Sequence, residues 1–88
     1  MAKSINNSDL YLGLSEMDED TLRDELKEFR SSQAKRRRVP AFKIFTDKTI
    51  ESIIEVRPTS EDDFFSVYGF GEKKINKFAS SILDIGQQ

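Results

Sequence analysis

The 88-residue sequence has no cysteine, no histidine and no tryptophan, and only two prolines and four glycines. Without thiols, neither disulfides nor thiolate chemistry is available, and so short a chain must close its core by side-chain packing alone. The joint absence of Cys and His removes the usual zinc ligands and the commonest general base. No metal and no cofactor is therefore expected, and a free-standing enzyme is the least favoured class. The carboxylates fall where helices start, not as an isolated pair in apolar surroundings that would shift an acid/base couple. No run approaches the roughly 18 apolar residues of a membrane span, and Met1–Asn7 is too polar for a secretory signal. An intracellular, monomeric chain without membrane contact is the expectation.

What is present describes one small globular domain: 36% hydrophobic and 34% charged residues, with a net charge of −2. The charge is segregated. Residues 1–30 carry four basic and eight acidic side chains, 31–48 six and one, 49–66 one and five, and 67–88 three and two. The most basic block surrounds Pro40 and runs directly into "VPAFKIF".

Residues 1–15 have no clear period and read as a linker or loosely docked tail, leaving 16–88 as the domain. Leu22, Leu26 and Phe29, at i, i+4 and i+7 behind an acidic first turn, predict a helix over 18–37. It must end before Pro40, which pushes Val39 out of the helical region. "AFKIF" fits either a strand or a packed turn. Thr46 or Asp47 then caps a helix burying Ile50, Ile53 and Ile54. Pro58 ends it, and Ser60 with Asp63 resembles a capping box ahead of Phe64, Phe65 and Val67. After "YGFG", Glu72 opens a last helix with Ile75, Phe78, Ala79, Ile82 and Ile85 on one face. The fold class is all-α, a compact bundle of four short helices, or five if "AFKIF" forms a turn of its own.

On a helical wheel, Arg23, Lys27, Arg30, Arg37 and Arg38 form one stripe spanning about 100°, Asp24, Glu25 and Glu28 a separate acidic edge, and Arg36 lies near the apolar side. Lys73, Lys74 and Lys77 fall within about 100° of one another, away from the Phe78 and Ile82 face. They follow a turn, Gly69 to Gly71, whose backbone amides at a helix start favour an anion. Lys43 and Lys48 join the basic set if their segment lies beside the last helix. A phosphodiester backbone would satisfy these features without any base being read. Each signal has a plain structural counterpart. A charged stripe is usually a solvated face, and a glycine turn usually serves chain reversal. The phenylalanines are expected in the core, Phe29, Phe64, Phe65 and Phe78 by their spacing, with Tyr68 and Phe70 the exposed aromatics.

The order of motifs resembles the HRDC domain, the helicase and ribonuclease D C-terminal module: "VPAFKIFTD" before an Ile-rich helix, then "RPTS", then "GFGEKK" with Phe78 and Ile82 behind it. The resemblance covers about Leu22 to Ile85. Tyr68 departs from it, since the family more often has proline before the glycine turn. The resemblance implies a small helical bundle, found as an appendage of RecQ-like and UvrD-like helicases and of ribonuclease D. Such a module is not catalytic and helps position DNA or RNA for a motor or nuclease elsewhere in the chain. The expected function is weak, sequence-independent contact with the phosphate backbone of single-stranded or branched DNA, in a cytoplasmic (nucleoid-associated) or nuclear setting. Two alternatives stand beside it: a docking or protein-interaction module that meets the parent helicase core through the Asp24, Glu25 and Glu28 edge or the acids of 61–63, and an RNA-binding module of a ribonuclease D-like enzyme.

Overall fold

The computed structural model describes residues 13–86, and every regular element among them is helical. Three α-helices carry the fold: α1 (Glu19–Arg37), α2 (Asp47–Val56) and α3, which spans 72–85 as three consecutive segments. Short 3-10 turns at Gly13–Glu16, Ala41–Lys43 and Asp62–Ser66 connect and flank them. The all-α class is as the periodicity predicts. "AFKIF" is a packed turn, and the segment after "RPTS" is a five-residue 3-10 turn. Asp63, expected to form a capping box with Ser60, turns back to accept from the Thr59 amide and hydroxyl, both at 2.9 Å, and interacts with the Ser60 amide and hydroxyl as well.

Local chemistry accounts for the boundaries of α1. The Asp18 carboxylate accepts from the amides of Asp20 (3.1 Å) and Thr21 (3.3 Å), and Glu19 and Asp20 lie at the positive end of the helix dipole. Arg38 stops the helix in the left-handed region at φ 57°, where its amide and that of Val39 return to the carbonyls of Lys35 and Ala34. Pro40 then blocks any continuation. The helix buries only a narrow stripe, Leu22, Leu26 and Ala34, with Phe29 partly covered. In α2, Thr46 caps the Thr49 amide at 3.3 Å, and Thr49, Ile50, Ile53 and Ile54 are buried.

Five phenylalanines link these elements through the core. Phe45 stacks on Phe29 (6.3 Å) and meets Phe78 edge-on (6.3 Å); Phe70 bridges Phe45 (6.1 Å) and Phe64 (5.1 Å). Two aromatic assignments are reversed, one made from helical spacing (Phe65) and one from position in the glycine turn (Phe70). Phe70 is buried between its glycines, and Phe65 is 62% exposed. A 3-10 turn repeats every three residues, so the 3.6-residue wheel places its side chains on the wrong side. Phe42, in the turn after Pro40, is also 62% exposed, while Ile44 and Phe45 point inward. Arg36, expected beside the apolar face, is exposed.

The packed region reaches back to Leu14, which is buried against the core; residues 1–12 of the expected tail lie outside the described residues. Leu14 is held by Arg57, at the C-terminal end of α2. Its guanidinium donates to the carbonyls of Leu14 and Met17, both at 2.6 Å, and to that of Ile54 at 2.8 Å. Arg57 adopts φ 51°, a conformation that costs a non-glycine residue about 1 kcal/mol or more. Arg57→Ala loses the three bonds but keeps the backbone strain, and is expected to destabilise the domain by about 2–3 kcal/mol in urea unfolding. Arg57→Gly relieves the strain, so it should lie about 1 kcal/mol closer to the native protein. Equal losses would mean that the left-handed backbone at Arg57 stores no strain, and no loss in Arg57→Ala would mean that the guanidinium bonds do not anchor the turn.

Acid sensitivity follows from two carboxylates. The hydrogen bond from Arg23, with its charge nearby, holds Glu51 below its ordinary value of 4.5; the Thr59 amide and hydroxyl hold Asp63 below 3.8. A carboxylate depressed by folding contributes stability above its unfolded value, and that stability is lost as pH falls through the folded value. Stability from these two groups should be constant from about pH 7 to 5 and decline below about 4.5. Urea midpoints at successive pH values check this, and Glu51→Gln should flatten the decline.

Candidate nucleic-acid interface

The structure divides the basic residues into two electrostatic settings. Arg23 is enclosed by carboxylates: its guanidinium reaches Glu19 at 2.9 Å, Asp20 at 3.1 Å and Glu51 at 2.7 Å. Arg30 pairs with Asp47 at 2.9 Å and donates to the Phe45 carbonyl at 3.2 Å, tying α1 to the start of α2. The stripe on α1 is therefore interrupted by internal pairing at two of its five positions. Lys27 is exposed on the same helix, close enough to Glu51 to lower its pKa. Arg38 is exposed at the helix end, where its backbone forms the cap.

The other cations converge. Arg37 from the end of α1, Lys43 from the following turn, and Lys73, Lys74 and Lys77 from the first half of α3 line one groove of about 430 Å³. Val39, Ile44 and Phe78 also line it, and among the described residues no carboxylate does. Arg37 is steadied by Gln33, whose side-chain oxygen accepts at 3.3 Å, and lies over the Phe78 ring at 5.2 Å. The three lysines thus flank Phe78 instead of facing away from it. The cause is the middle segment of α3, Ile75–Ala79, which is π-helical. Its wider turn displaces side chains from the positions of a uniform α-helix, and such segments recur at functional sites.

The glycine turn beside the groove has a mixed character. Gly69, at φ +84°, is required structurally: a Cβ there would stand 2.5 Å from the Thr49 hydroxyl oxygen. The Phe70 amide is already engaged with the Val67 carbonyl at 3.1 Å. Gly71, by contrast, has open space around it and serves as the N-cap of α3 without a side-chain capping bond. This leaves the first-turn amides next to Lys73 and Lys74.

Lys48 lies apart from the groove. With Arg30, Asp47 and Phe42 it lines a second, shallower cavity of about 540 Å³. Its ammonium stands 4.4 Å over the Tyr68 ring, and that of Lys43 stands 5.9 Å over Phe42. Phe42 is the site residue that periodicity does not single out, because within "AFKIF" it looks like any other core position. Among the described residues, no group of three or more acidic side chains could hold a metal ion, and no helix is long and apolar enough to cross a membrane.

A helical bundle with this order of elements is matched by the HRDC domain family over residues 19–85. The chain belongs to the HRDC family. Among curated proteins, the domain is 35% identical over 71 residues to the ATP-dependent DNA helicase UvrD2 of Mycobacterium tuberculosis, a match that covers 81% of this chain and 10% of that protein. It is 29% identical over 63 residues to the ATP-dependent DNA helicase RecQ of Pasteurella multocida, covering 72% of the chain and 10% of that helicase. The RecQ helicase of Bacillus subtilis is 31% identical over 64 residues, covering 73% and 11%. The HRDC chain thus spans about a tenth of the length of the relatives it matches. No solved structure matches it significantly.

Proposed function

We propose that this HRDC domain is the non-catalytic nucleic-acid-binding module of an ATP-dependent DNA helicase. It holds the phosphate backbone of single-stranded or branched DNA, weakly and without sequence preference, in the groove between α1 and α3. The observation that carries the reading is the convergence of Arg37, Lys43, Lys73, Lys74 and Lys77 on one concave surface with no carboxylate of the described residues in its lining. A polyanion entering it releases counterions, and the open amides after Gly71 add hydrogen-bond donors for a phosphate oxygen. Phe42, exposed beside Lys43, offers a ring to an unpaired base. Arg23 and Arg30 serve the fold more than the ligand, whereas Arg38, Lys27 and Lys48 extend the field around the groove. Affinity of the isolated domain is expected in the range of about micromolar to millimolar at physiological salt.

The test is a backbone NMR titration with a short single-stranded DNA at low and at physiological salt. Shifts gathered at Arg37, Lys43, Gly71 and Lys74, fading as salt rises, are the expected result. An absence of shifts at low salt would sink the reading. RNA of the same length, run in competition, decides between the two nucleic acids.

A second reading has its own observation. Glu25 and Glu28 line a shallow cavity with Phe29, Ser32 and Ile85, where acidic side chains border an apolar floor. That combination suits docking on a basic motor domain. Glu28→Lys altering the parent enzyme while Arg37→Gln and Lys74→Gln leave it unchanged would favour docking over DNA contact.

A further inference from the structure

Tyr68 stands immediately before the glycine turn, and its surroundings give it a specific character. The ring is 54% exposed and takes no part in the core. Its backbone is nevertheless fixed. The Tyr68 amide donates to the Ser52 hydroxyl at 2.8 Å, and the next residue, Gly69, is pressed against Thr49. An exposed aromatic on an immobilised backbone loses little entropy when a planar ligand settles on it. Lys48 already lies over one face at 4.4 Å.

Shared residues connect this ring to the basic groove. Lys48 borders both Tyr68 and the cavity walled by Phe42; Phe42 carries Lys43; and Lys43 lines the groove with Arg37 and Lys74. Aromatics and cations thus alternate along one surface, the arrangement that lets successive bases stack while their phosphates meet positive charge. Asp47 is the one carboxylate in the cavity along this path, and it is paired with Arg30. Phe65, the other exposed phenylalanine, has no cation of the described residues over its ring, so its exposure alone does not make it equivalent.

We propose that Tyr68 is a base-stacking platform at the far end of the phosphate track, with Lys48 as its phosphate partner. The surface therefore takes a strand that is unpaired where it reaches Tyr68. This rests on the groove reading above. In a duplex the base faces are occupied by neighbouring pairs, so a duplex can use the groove but not the ring.

The chain contains no tryptophan, so Tyr68→Trp places a single indole reporter at the site. The variant is titrated with a fluorescently labelled thymidine oligonucleotide, an abasic strand of the same length, and a duplex. Anisotropy of the label reports binding, and indole emission reports stacking. All three ligands are expected to bind with salt dependence, and only the thymidine strand should quench the indole. In the native background, Tyr68→Ala should weaken the thymidine strand by about 5- to 100-fold and leave the abasic strand unchanged, with Tyr68→Phe restoring affinity. Binding of all ligands without selective quenching overturns the stacking role and leaves the phosphate groove intact. No binding of any ligand at low salt overturns both.

Discussion

Phe45→Ala is expected to destabilise the domain by about 3–5 kcal/mol, the usual range for deleting a buried ring. That is a large share of the roughly 4–13 kcal/mol expected of a chain this size. Phe45 is fully buried and packs against Phe29, Phe70 and Phe78, so its loss opens a cavity that three elements border. It also sits where the Arg30 guanidinium grips the backbone, so relaxation around the cavity would disturb the join between α1 and α2. Urea unfolding should show a midpoint lowered by about 1 M or more. Phe42→Ala, three residues away and exposed, should change stability by less than about 0.5 kcal/mol. If the two substitutions cost the same, the division of this turn into an inward and an outward phenylalanine is wrong.

The second large effect concerns binding. Neutralising Arg37 and Lys74 together, as Arg37→Gln and Lys74→Gln, removes two of the five groove cations from opposite walls. For single strands each phosphate contact contributes about 0.7 to the slope of log affinity against log salt, so the pair should lower that slope by about 1.4. Affinity at low salt should fall by about tenfold or more, uniformly across sequences. Arg23→Gln is the informative control. Its charge is enclosed by Glu19, Asp20 and Glu51, so binding should change little. Anisotropy titrations of a labelled oligonucleotide at several salt concentrations separate the cases. An Arg23→Gln loss equal to that of the double variant would restore the uninterrupted stripe on α1 as the binding surface.

The contrast between Arg23 and Arg37 also shows what sequence could and could not convey. Local signals were strong for α1: acids in the first turn, Leu22 and Leu26 one turn apart, and Pro40 as the stop, all within one segment. The all-α class follows from such patterns. The fate of Arg23 depends on Glu51, 28 residues away, and that of Arg30 on Asp47 and the Phe45 carbonyl. A helical wheel shows which residues share a face, but not which carboxylate from another element lies over it. The groove is likewise a meeting of residues more than thirty positions apart, Arg37 with Lys73, Lys74 and Lys77. Lys43 and Lys48, taken together from sequence, separate because the turn at Ala41–Lys43 and the cap at Thr46 send them to neighbouring cavities. Phe65 was misplaced because it lies in a 3-10 turn where the helical period does not hold, and Phe70 because a residue in a glycine turn reads as exposed until Phe45 and Phe64 are seen to cover it. Arg57 carried no sequence signal, since its partners are backbone carbonyls that any residue would present.

The π-helical stretch Ile75–Ala79 has a genetic consequence. Such a stretch is equivalent to an ordinary helix that has accepted one additional codon, and Asn76 within it is exposed. Deleting that codon would let the helix run on without interruption, with Lys73 and Lys74 then four and three residues before Phe78 and so within about 60° of it. Ile82 and Ile85 would stay seated, because the wide turn had absorbed the added residue without rotating its flanks. A lineage that lost this single triplet would keep both the folded bundle and the alignment of its charges.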